Sequence, residues 1–165
     1  MTKSSTFAAA IAVALLGAAA AAQQRAPRPG VDWPAFRGID ANGIAPDGRP
    51  APTTFTPASA VWRTKIAGLG NSSPVIWGDL LCVTTAISSK DNSFKPGLYG
   101  NVEPLEDTSP HEWKVICLDK RTGAMRWEQT VHKGVPAVKR HPKSTQANAT
   151  LATDGTHLVA LFGSE

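Results

Sequence analysis

The chain has 165 residues, a formal net charge of +4, 42% hydrophobic residues and two cysteines. That length suits one domain. The charge is too small and too scattered for a nucleic-acid-binding face, and two cysteines cannot build a disulfide scaffold.

Residues 1–22 read as a secretory signal peptide. Lys3 supplies a short positive start, 7–16 (FAAAIAVALL) an apolar core, and Ala20-Ala21-Ala22 a small-residue cleavage site. The apolar stretch is too short for a membrane span and no stop-transfer flank follows it. The competing reading is a disordered alanine-rich tail. No twin arginine precedes the core, and no cysteine near the cut could carry a lipid anchor. The mature chain is therefore expected in the periplasm or outside the cell, with no membrane span. Removing 1–22 takes away only Lys3 and lowers the formal net charge to +3.

Residues 23–59 are rich in Pro, Gly and Ala. QQRAPRPG (23–30) reads as a linker, and the segment after it as irregular chain anchored on a domain by Trp33 and Phe36. Beyond it the pattern predicts strands at 60–66 (AVWRTKI), 73–77, 80–86, 113–119, 124–131, 149–153 and 156–162. Gly78-Asp79 and Asp154-Gly155 predict two-residue hairpins. Between 113–119 and 124–131, Asp119 can accept a hydrogen bond from the backbone two residues on, and Gly123 can take a positive φ. No long helical period occurs, so the chain is expected to be all-β.

These strands are apolar on both faces (LLCV, VICL, LVALF), unlike the half-polar strands of a two-layer sandwich. A sheet covered on both sides would read this way, as in the stacked blades of a β-propeller. Cys82 and Cys117 fall on strands expected to be neighbours. A cross-strand bridge and two buried thiols both fit, with buried thiols as the ordinary reading.

Leu118, Asp119, Thr122, Gly123 and Trp127 form Leu-Asp-x-x-Thr-Gly-x-x-x-Trp. This resembles the repeat of the pyrroloquinoline-quinone-like (quinoprotein-type) β-propellers. DWPAFRGIDANGIA, VWRTKIAGLGNSSPVIWGDLLCVTTA and HPKSTQANATLATDGTHLVALFGSE resemble secreted bacterial BamB-like propellers, so the resemblance covers about residues 31–165. Trp62 and Trp127 stand 65 positions apart. A blade takes roughly 40–50 residues, so 87–112 reads as an insertion. The resemblance implies about eight four-stranded blades, of which this chain would hold about two, both incomplete, as an N-terminal fragment. It implies structural roles for the repeat residues, with Trp33, Trp62 and Trp127 as packing residues.

In such a propeller the loops 67–73, 87–112 and 132–148 would share one face. The last is basic, with His132, Lys133, Lys139, Arg140, His141 and Lys143; the insertion carries Glu103, Glu106 and Asp107. Lys139, Arg140, His141 and Lys143 are the candidate binding-face residues; the ordinary alternative is a solvated loop paired with its neighbour. The four histidines show no metal-ligand spacing, and no haem, nucleophile-elbow or phosphate-loop motif occurs. The expected function is an exported, non-catalytic propeller that binds or scaffolds protein partners of the bacterial cell envelope, with no cofactor. The alternative is a quinoprotein alcohol or sugar dehydrogenase using pyrroloquinoline quinone and calcium. The chain has no adjacent cysteine pair like that of several such enzymes, and the resemblance assigns no catalytic Asp or calcium-ligand set to a position in it.

Overall fold

The computed structural model describes residues 25–45, 47–48, 50, 52–90, 93 and 104–163. The signal-peptide reading, Glu103 and much of the insertion lie outside the described residues. The chain is all-β: among the described residues the only helical element is a 3-10 turn, Pro57–Ser59. Strands β1 (Val75–Trp77), β2 (Leu80–Ser88), β3 (His111–Asp119) and β4 (Met125–Gly134) form one antiparallel sheet in the order β1-β2-β3-β4. Strands β5 (Ala152–Thr153) and β6 (Leu158–Val159) form a separate two-stranded sheet.

The turns explain the order. Trp77 pairs with Leu80, so Gly78-Asp79 is the expected two-residue hairpin, with Gly78 at φ 61°. Between β3 and β4 the Asp119 carboxylate accepts hydrogen bonds from the backbone of Arg121 and Thr122 and from the Thr122 hydroxyl. Gly123 then closes the turn at φ 70°. The third hairpin differs from the expectation. Thr153 pairs with Leu158, so its loop has four residues, not two. Asp154 causes this: its carboxylate accepts from the backbone of Thr156 and His157, holding two further residues in the loop.

Central strand β3 is buried on both faces, as its apolar run requires. Trp113, Val115 and Cys117 alternate with Ile116 and Leu118, and all five are at most 5% exposed. On the first face Val75, Cys82, Val115, Cys117 and Leu151 form one cluster with Leu158 and Ala160 against it; Ala86, Trp113 and Ala147 form a second with Phe162. Each large apolar side chain buried this way contributes about 1.5–3 kcal/mol. Cys82 and Cys117 are directly opposed in the β2–β3 register and joined by a disulfide. The buried-thiol reading is thereby replaced: sequence spacing carries no register, and register decides whether two strand cysteines meet.

Further expectations differ from the structure. Residues 60–66 are not a strand. Their exposure alternates, with Trp62, Thr64 and Ile66 turned inward, but the partner is the β3–β4 turn. Trp62 Nε1 donates to Lys120 O (3.0 Å), and Thr64 Oγ1 donates to Gly123 O (2.6 Å). The described strands form one four-stranded sheet and a separate two-stranded hairpin. Of the expected linker, the described residues 25–30 lie against the domain. Buried Asp32 is gripped by Arg25 and Arg28 and by the backbone of Gly78 and Arg28, and Arg25 lies over the Trp77 ring. Trp33 does anchor the segment, bridging to Ile76 at the edge of β1, whereas Phe36 is 60% exposed.

Candidate functional site

Loops meet at the end of the sheet where β2 ends and β3 begins. Leu69 bridges to Ala86, Asn71 N donates to Ala147 O, and Leu105 bridges to Arg140. The expectation that 67–73, the insertion and the basic loop come together thus holds for their described parts. The basic segment begins later than expected. His132 and Lys133 belong to β4, where Lys133 stands opposite Glu112 and pairs with it at 2.6 Å.

Trp113, not singled out in the sequence, fastens this end. It is fully buried, and its Nε1 donates to Gln146 O at 3.1 Å. The rings of His111 and His132 lie 5.5 and 5.1 Å from it. The available signal was its phase: Trp113 is two residues before Val115 and four before Cys117, hence on the same core face.

The returning insertion is held by a polar knot. The Asp107 carboxylate accepts from the Ser88 hydroxyl (2.6 Å), the Ser109 backbone (2.9 Å) and the Ser109 hydroxyl. His111 Nδ1 donates to Ser109 O at 2.8 Å, because a carbonyl can only accept, and Nε2 faces Asp107 at 3.6 Å. Burial opposes ionisation of Asp107, but the serine hydroxyls, the Ser109 N–H and His111 outweigh it and lower its pKa to about 2. Asp107 thus ties the end of β2, through Ser88, to the start of β3, through Ser109.

The four candidate binding residues divide. Lys139 pairs with Glu106 of the insertion, both exposed, and the contact lowers the Glu106 pKa. Such a pair contributes little. His141 Nδ1 accepts from Lys143 N at 3.1 Å, and both residues are exposed. Arg140 is 9% exposed, and its Nη1 donates to Ser144 O at 2.9 Å. Lys139, Arg140 and His141 line a cleft of about 260 Å³ with Ser144, Gln146 and Asn148.

The repeat residues hold structure. Leu118 is 2% exposed in the core, Asp119 ties the turn, and Thr122 supplies two of its donors. A β-bulge between Cys117 and Leu118 leaves Arg126 without a partner across the strand, and its guanidinium reaches Asp119 at 3.0 Å. The Asp119 pKa is lowered, first by the Thr122 N–H, then by Arg121, the Thr122 hydroxyl and Arg126. Trp127 is 41% exposed and lines the apolar grooves between β4 and β6. His111, His132, His141 and His157 do not converge, and among the described residues no three His, Cys, Asp or Glu side chains are grouped to hold a metal ion. No helix among them is long and apolar enough to cross a membrane.

Comparison with known proteins found no matching family model, no matching curated protein and no matching solved structure.

Proposed function

We propose that this chain belongs to an exported, quinoprotein-like β-propeller of the bacterial cell envelope that binds protein partners through its loop face and carries out no chemistry itself. The observation that carries the reading is the seat of Trp62. It precedes the four-stranded sheet and packs on the turn between that sheet's last two strands, bonding to Lys120 O beside Gly123. Trp127 follows that same turn, on the outer strand β4, with an apolar groove beside it. A tryptophan from one unit seated on the turn of the next is a contact that sequential units can repeat around a ring. The β1-β2-β3-β4 meander, buried on both faces of β3, supports the same reading.

The Cys82–Cys117 bridge supports export, because disulfides persist in oxidising compartments. It agrees with a signal peptide at 1–22 and a mature chain starting at Gln23. The partner-binding role rests on the loop face, where the chain spends long segments on a fixed scaffold. Two measurements test the proposal. Mass spectrometry of the protein from the periplasmic fraction should give an N-terminus at Gln23. Cross-linking in the intact envelope should give a specific adduct, weakened in the Arg140→Gln/Lys143→Gln double variant. Dye-linked oxidation of an alcohol or sugar after reconstitution of the full reading frame with pyrroloquinoline quinone and calcium would overturn the non-catalytic reading.

A further inference from the structure

We infer that the cleft walled by 138–149 is an oxyanion site, for a carboxylate or a phosphate group, with Arg140 as its anchoring cation. A guanidinium has five N–H donors and keeps its charge under ordinary conditions. Arg140 is nine-tenths buried, and its guanidinium makes one hydrogen bond among the described residues, to the neutral carbonyl of Ser144. Among those residues no carboxylate reaches it; the nearby acid, Glu106, is engaged by Lys139. A charge withdrawn from water with most of its donors unused is costly unless something accepts from them. Ser88, Asp107 and Asp119 show the ordinary outcome in this chain: their polar groups are enclosed by several partners. Arg140 instead lines an open cleft of about 260 Å³, room enough for a small oxyanion.

The cleft is also pre-shaped. Asn148 Oδ1 accepts from the backbone and hydroxyl of Thr145, and Asn148 Nδ2 donates to Ser144 Oγ and Thr145 O. Gln146 Nε2 donates to Val138 O, tying the two walls together, while Gln146 O is held by Trp113. Arg140 itself is fixed by its backbone bridge to Leu105. An anion therefore meets a cation already in position and does not have to order a mobile side chain, which favours binding. His141, with Nδ1 occupied by Lys143 N, has its second nitrogen left to donate. The planar fork of Arg140 suits a carboxylate or phosphate edge.

The site shares the loop face of the proposed function but needs no propeller and no protein partner, so the two readings fail separately. Acetate, succinate and inorganic phosphate are each titrated into the mature protein at constant ionic strength, with amide chemical shifts recorded by NMR. Saturable shifts confined to 138–149 and to Leu161 and Gly163 across the cleft are expected. Tighter binding of succinate identifies a carboxylate site, and tighter binding of phosphate a phosphate site. Arg140→Gln should weaken binding about tenfold or more, as expected for the loss of a charge-assisted hydrogen bond. Arg140→Lys keeps the charge without the fork, should fold normally and should bind several-fold more weakly than wild type. Lys133→Gln, with the same charge loss on β4, should leave affinity unchanged. Absence of saturable shifts with all three anions overturns the inference, as do equal affinities for wild type and Arg140→Lys.

Discussion

Breaking the Cys82–Cys117 bridge is the sharpest test of how β2 and β3 are held. The bridge spans a sequence separation of 35, and its cysteines are 5% and 0% exposed. In the chain-entropy account, closing a loop of that length removes about 13 cal/mol/K from the unfolded ensemble, or about 4 kcal/mol at 25 °C. The native register already places the two residues opposite one another, so reduction should leave the sheet in place and act through the unfolded state. Urea unfolding of the oxidised and fully reduced wild-type protein, followed by tryptophan fluorescence, isolates the effect, since the two differ by only the bond and two hydrogens. With a slope of about 2 kcal/mol per molar urea, the midpoint should fall by about 2 M on reduction. Thiol titration of the unreduced, denatured protein should find no free thiol. Two free thiols would refute the bridge itself. A bridged protein with an unmoved midpoint would refute the loop-entropy reasoning.

Gly123 should tolerate no side chain while Trp62 is present. Its φ of 70° penalises an L-residue by roughly 1–2 kcal/mol, and a Cβ there would enter the Trp62 ring and approach Thr64 Oγ1 at 2.7 Å. Gly123→Ala should therefore cost more than the backbone penalty in wild type and less in a Trp62→Ala background, where only the Thr64 contact adds to that penalty; strictly additive costs in the double-mutant cycle would contradict the packing described. Acid should loosen two anchors together. Burial opposes ionisation of Asp32, but Arg28 and the N–H groups of Gly78 and Arg28 outweigh it and hold its pKa at about 2, the value also reached by Asp107. A depressed carboxylate pKa stabilises the fold above the unfolded value near 4, and that stability is lost as pH falls toward 2. Each group should contribute roughly 2 kcal/mol, and Asp32→Asn or Asp107→Asn should flatten the corresponding part of the pH–stability curve measured by thermal melts.

Much of the local architecture was legible in the residues. Gly78-Asp79 and the Asp119–Gly123 turn are set by side chains that act within a few positions, so reading them needed no partner. The strands at 73–77, 80–86, 113–119 and 124–131 were placed to within a few residues for the same reason. Residues 60–66 show where that legibility stops. Their exposure alternates as in a strand, but alternation reports one-sided burial and does not require a neighbouring strand; here the neighbour is a turn. Lys139, Arg140, His141 and Lys143 looked alike as a basic run; their differing fates depend on Glu106 and on the cleft that 138–149 form with Leu161 and Gly163.

The sequence by itself determined the all-β class, the strand-turn-strand units and the burial of both faces of 113–119, because propensity, turn chemistry and apolar runs are local properties. Tertiary structure alone decided that Cys82 meets Cys117, that Trp62 sits on the Gly123 turn, that Trp113 fastens the loop end, and that Arg140 lies buried beside open space. Each of these joins residues far apart in the chain, and such meetings are fixed by register and packing, which no single segment encodes.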